Sequence, residues 1–196
     1  MSVNIDNLSL PDDSPKISFL EAFYGVLFLP RKTFETLFAE DTFTVIVYGA
    51  LATLLSSLGK LEPGDVGILS ILGIEIIGLL SWLFVGILIF FFSTVFKTPN
   101  NNLARLLGFT GLASLPFLLM TPITLISNFV PNIHTIFEII ISVWSFVLFW
   151  LSLAKSFQLE AWRVLLMAII PFLLGLFLFT FLIANMLGAM FSGLAR

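Results

Sequence analysis

Residues 76–96 read IIGLLSWLFVGILIFFFSTVF, 21 residues with no charge and no proline. At a rise of about 1.5 Å per residue, a helix of that length crosses a hydrocarbon core roughly 30 Å thick. A membrane strand would need polarity to alternate along the chain, and here the apolar character is continuous. The stretch therefore predicts a transmembrane helix.

Working outward, the same run extends back to Val66, interrupted only by Glu75. Four further apolar runs cover 43–59, 106–130, 135–154 and 164–195. Pro116 and Pro122 lie inside the third run and Pro171 inside the fifth, where they predict kinks. Gly108-Phe109-Thr110-Gly111 adds local backbone freedom near the start of the third. The expected fold is an all-α integral membrane protein, a bundle of about five transmembrane helices over residues 43–196. Composition agrees. Of 196 residues, 59% are hydrophobic and 11% charged, whereas a soluble domain sits near 45–50% and about 25%. The net charge of −3 gives no nucleic-acid footprint. With no cysteine, disulfides and thiolate metal sites are excluded.

Ahead of the bundle the pattern changes. Residues 1–14, with Asp6, Asp12 and Asp13, read as a flexible tail without the basic start of a secretory signal, so the chain is expected to keep its N-terminus. Residues 15–42 read as an amphipathic lead-in of two short helices divided at Pro30. Phe19, Phe23 and Leu27 share one helical face, and Phe34, Leu37 and Phe38 form a stripe on the next helix. Such helices can lie in the membrane interface or pack on the bundle.

Five spans place the termini on opposite sides. Lys16, Arg31, Lys32, Lys97, Arg105, Lys155 and Arg163 then fall on the N-terminal side, against Lys60 and Arg196 on the other. The positive-inside rule makes the N-terminus cytoplasmic and the C-terminus external, in a membrane expected to be the prokaryotic cytoplasmic (inner) membrane.

Catalytic signatures are missing. There is no phosphate-cradling glycine loop, no His-Glu-x-x-His and no Gly-x-Ser-x-Gly. His134 is the only histidine, too few for a multi-histidine metal site. No enzyme, metal or cofactor is expected. Glu75 and Glu138 are the ionisable groups of interest, because a carboxylate at membrane depth is a functional-site candidate by default. His134 precedes Glu138 by four residues, so Glu75, His134 and Glu138 are a candidate proton or cation site. The plainer reading is two carboxylates near helix starts, within reach of water. Thr180, Ala184, Gly188 and Ser192 recur at four-residue spacing, a face for helix packing within the bundle or for a homo-oligomer seam.

Three stretches carry a family likeness. They are Leu29-Pro30-Arg31-Lys32-Thr33-Phe34, then Leu107-Gly108-Phe109 through Leu115-Pro116, then Val143-Trp144 through Leu151 followed by Ala161-Trp162-Arg163 and a long last span. Over roughly residues 17–190 the chain resembles the Yip (Ypt-interacting-protein) domain family, and within it the compact prokaryotic members. The resemblance implies a membrane protein that works through partners. The eukaryotic branch binds lipid-anchored small GTPases in vesicle traffic, but its Asp-Leu-Tyr-Gly-Pro motif is absent here, and no functional residue is carried over. Some prokaryotic relatives are associated with export transporters. The expected function is a non-enzymatic membrane scaffold or adaptor, an accessory to a transport complex, with membrane lipids and a membrane protein as partners. The alternative is a small transporter or channel subunit using the outward-end carboxylates.

Overall fold

The computed structural model describes residues 17–59, 67–127, 133–160 and 162–166, together with Ile169 and Leu173. Among the described residues every regular element is helical. In chain order these are α1 (Phe19–Phe28), α2 (Pro30–Ala39), α3 (Thr42–Leu58), α4 (Ile68–Val95), α5 (Leu103–Leu112), a 3-10 turn (Leu115–Leu119), α6 (Met120–Ser127) and α7 (Ile133–Phe157).

Local chemistry sets the boundaries. Ser18 and Glu21 form a capping box at α1: the Glu21 N–H reaches Ser18 Oγ at 3.3 Å and the Ser18 N–H reaches Glu21 Oε2 at 2.8 Å. Pro30 opens α2 at its first turn, where the missing N–H costs nothing. Asp41 caps α3 by accepting from the N–H groups of Phe43 and Thr44. Asn102 caps α5 by accepting from the Arg105 N–H at 3.0 Å. Pro116 cannot donate to an α-helical ladder, and the third apolar run breaks there into the 3-10 turn. α4 and α7 end alike. Lys97 and Gln158 each sit at φ 52, and each end closes with the paired bonds of a Schellman motif. These are Lys97 N–H to Thr94 O and Thr98 N–H to Ser93 O, then Gln158 N–H to Lys155 O and Leu159 N–H to Ala154 O.

Three helical stretches are long and apolar enough to cross a bilayer: Ile71–Val95, Leu103–Ser127 and Ile133–Phe157. The chain is an integral membrane protein. Against the expected count of about five, α3 is a shorter apolar helix of 17 residues. The 164–195 run, with Thr180, Ala184, Gly188 and Ser192, lies almost wholly outside the described residues, as does the 1–14 tail.

Phe109 stands at the centre of the main core. It touches Phe34 (ring centroids 5.2 Å) and Phe38 (6.5 Å), within a buried cluster that includes Val26, Leu37, Leu112 and Leu148. Phe34 and Leu37 are buried, as the stripe on α2 implies. On α1 the buried centre is Ala22, Gly25 and Val26, with Leu27 at its edge. Phe19 and Phe23 are only partly covered. The face is rotated because small residues set the approach: a Cβ on Gly25 would collide with the Thr33 hydroxyl. Leu20, Tyr24 and Phe28 are left facing outward.

Candidate functional site

Among the described residues the tightest seam joins α3 to α5. A Cβ on Gly49 would lie 2.5 Å from Gly108 Cα, and one on Gly108 would lie 2.5 Å from Val45 O. One on Gly111 would lie 2.6 Å from the Gly49 carbonyl carbon. The glycines expected to loosen the third span instead let two backbones touch, the usual reason for small residues between membrane helices. Hydroxyls line the same seam. Ser56 donates to Ser114 Oγ at 2.9 Å, Ser114 donates to Gly111 O at 2.7 Å, and Ser145 of α7 donates to Ala113 O at 2.8 Å.

The hydroxyl line continues toward α4. Ser57 lies 2.7 Å from Glu75 Oε2 and equally 2.7 Å from Leu54 O, so one proton serves two acceptors. Glu75, Gly78 and Trp82 follow one another by three and four residues on the α4 face turned to α3; a Cβ on Gly78 would sit 3.7 Å from Ser57 Cβ. Two atoms on that face, Glu75 Oε1 and Trp82 Nε1, are shut off and have no hydrogen-bond partner among the described residues. His134 Nδ1 lies 3.9 Å from Glu138 Oε2, with both side chains exposed. The structure thus brings His134 to Glu138 and gives Glu75 to Ser57. Among the described residues no three His, Asp or Glu side chains converge closely enough to hold a metal.

The opposite end of the bundle is charged. α2 is locked there by Phe34 on Phe109, and by the Arg105 guanidinium 4.4 Å over the Phe38 ring. Lys155 at the end of α7 donates to Glu35 of α2 at 2.8 Å. That hydrogen bond, with the lysine's charge, holds the Glu35 carboxyl below the ordinary carboxylate range. The Ile17 backbone is tied twice, donating to Glu40 Oε1 and accepting from the Tyr48 hydroxyl, both at 2.9 Å. Beside the clasp opens a cleft of about 500 Å³, lined by Glu35, Phe38, Lys155, Gln158 and Glu160 among others. Sequence reading did not find this clasp, because its partners are 120 residues apart. It also passed over the capping box, although Ser18-x-x-Glu21 is a legible signal.

A family model described as Yip1 domain matches residues 24–182, most of the chain. The chain belongs to the Yip1 family. No curated protein and no solved structure matches it. The Yip1 match starts inside α1 and takes in α2 through α7, so α2 and its clasp to α7 belong to the Yip1 domain itself. The Gly49–Gly108–Gly111 seam and the Leu115-Pro116 break fall inside it as well. The Yip1 family is not known as a family of enzymes. The likeness read from the sequence is borne out.

Proposed function

We propose that this Yip1-family protein is a non-enzymatic scaffold or adaptor of the prokaryotic inner membrane, an accessory to a transport complex through a membrane-protein partner such as an export transporter. The observation that carries the reading is the fixed charged shelf. α2 is anchored by buried Phe34 and Leu37, while Arg31, Lys32 and Glu35 stay exposed, Glu35 at the edge of the cleft. A docking face held rigid before the partner arrives loses less conformational entropy on binding. The test is co-purification from membranes in mild detergent, comparing the unsubstituted protein with Arg31→Glu/Lys32→Glu. A partner retained by the first and lost by the second supports the adaptor. Identical co-purified sets, or none, refute it.

The reading includes five spans with the N-terminus cytoplasmic and the C-terminus outside, supported by the basic asymmetry of the loops. Reporter fusions after Asn101 and Gln158 should read inside, and fusions after Lys60 and Arg196 outside. An inside signal at Arg196 would overturn the topology. One observation favours a second reading, a small transporter or channel subunit: Glu75 Oε1 is shielded and has no partner among the described residues. Proton- or cation-driven flux in liposomes that is lost in Glu75→Gln, and kept in Glu138→Gln, would replace the adaptor by a transporter working at Glu75.

A further inference from the structure

A second cleft, of about 310 Å³, lies where α4 ends and the 162–166 helical segment begins. Its lining is Phe96, Lys97, Pro99, Leu159, Trp162, Arg163 and Leu166. Among the described residues two cations and no carboxylate line it. Glu160 is nearby and engages two of the lining residues: its Oε2 accepts the Trp162 indole N–H at 2.6 Å and stands 3.9 Å from Arg163 Nε. The local balance of Lys97, Arg163 and Glu160 is one net positive charge. The Arg163 guanidinium lies 5.4 Å over the Trp162 ring, which orients it. Phe96, Trp162 and Leu166 are exposed apolar groups beside the cations. The span Ile71–Val95 stops one residue before Phe96, so the cleft sits at the boundary between hydrocarbon and headgroups.

The backbone at Lys97 adds a second observation. Its φ of 52 is the left-handed position of the Schellman motif, where glycine is the usual residue and a side chain is strained. A cation in the last turn would complement the carbonyl end of α4 without that strain. The left-handed Lys97 instead lines the cleft together with Arg163, and no acidic partner holds it among the described residues.

We propose that this cleft is a site for an anionic phospholipid, its phosphate seated between Lys97 and Arg163 and its acyl chain laid along Phe96 and Leu166. Two cations, an amphipathic indole and an apolar flank match the three parts of such a lipid: charge, interface and chain. The inference is independent of the adaptor reading.

The test uses the full-length protein with Trp82, Trp144 and Trp150 changed to Phe, so that Trp162 alone reports. Chain-brominated phosphatidylglycerol and chain-brominated phosphatidylcholine serve as quenchers in vesicles at equal mole fraction. One net positive charge predicts a preference of about five-fold for the anionic quencher. Lys97→Gly/Arg163→Gln should abolish the preference for the anionic quencher or reverse it, since glycine accepts the left-handed backbone while both cations are removed and Glu160 remains. Arg31→Gln/Lys32→Gln should leave the preference intact. Native mass spectra of the unaltered-tryptophan protein, scored for retained phosphatidylglycerol, give the same comparison if the tryptophan variants fail to fold. Equal quenching in the parent refutes the proposal. So does a preference that survives the Lys97/Arg163 change, or one lost as readily with Arg31/Lys32. Inorganic phosphate added at constant ionic strength should not relieve the anionic quenching; if it does, the cleft takes free phosphate and the lipid assignment fails.

Discussion

The spans Leu103–Ser127 and Ile71–Val95 are each 25 residues long, yet 44% of the most apolar stretch of the first lies inside the molecule and 11% of the second. The first is broken by a 3-10 turn, carries Gly108 and Gly111, and is tied to its neighbours by serine hydroxyls. The second lies within one unbroken helix, α4 of 28 residues, with Ile77, Phe84 and Phe91 exposed along it. The difference teaches what holds a membrane bundle together. Lipid chains are as apolar as leucine, so hydrophobicity takes a helix into the bilayer but does not draw it to another helix. Close backbone approach and hydrogen bonds do that, and α5 has both where α4 has mostly neither.

The comparison breaks most readily at Gly108. A Cβ there meets a backbone carbonyl 2.5 Å away, and backbone cannot swing aside as a side chain can. Gly108→Ala is expected to cost about 1–3 kcal/mol, read as a lower unfolding midpoint in detergent. Gly73 on α4 is the control, since a Cβ there meets nothing within 4 Å. Gly73→Ala should stabilise by about 0.5–1 kcal/mol through helix propensity alone. If the two alanines moved stability alike, the contrast between the spans would be lost. The hydroxyl line sharpens the comparison with a smaller effect. Ser114→Ala removes the acceptor of Ser56 and the donor to Gly111; a membrane hydrogen bond of this kind contributes about 0.6 kcal/mol. A loss as large as that of Gly108→Ala would show that the seam is held chiefly by hydroxyls.

The smallest effect is at the charged end. The Glu35 carboxyl is held low by Lys155 in the folded protein. Its stabilisation is therefore complete above the ordinary carboxylate pKa and is lost as pH falls through the lowered folded value. Both partners are exposed, so the effect is small and screened by salt. Lys155→Met should flatten the acid limb of a stability-against-pH curve measured at low ionic strength. An acid limb identical to that of the parent would remove the clasp as a contributor.

Much was readable along the chain because it depends on neighbours in sequence. The charge-free stretch 76–96 declares a spanning helix by length alone. Pro30 and Pro116 mark breaks because each lacks an N–H wherever the chain goes. The stripe of Phe34 and Leu37 follows from helical spacing. The candidate Glu75, His134 and Glu138 was legible only in part. His134 and Glu138 are four apart on one helix and meet, whereas Glu75 is taken by Ser57, 18 residues before it. Nothing in a run of apolar letters says which serine faces which helix.

The sequence alone determined that this chain enters a membrane as helices and that the chain breaks at Pro30 and Pro116, because transfer free energy and backbone hydrogen bonding are local sums over consecutive residues. Only the tertiary structure decided that Gly108 is a contact instead of a hinge, that Glu35 meets Lys155, and that Lys97 shares a cleft with Arg163. Those outcomes depend on how far each helix is rotated and how closely it approaches the next. Rotation is set by the sum of many small steric and polar fits across the bundle, and no single stretch of the chain contains it.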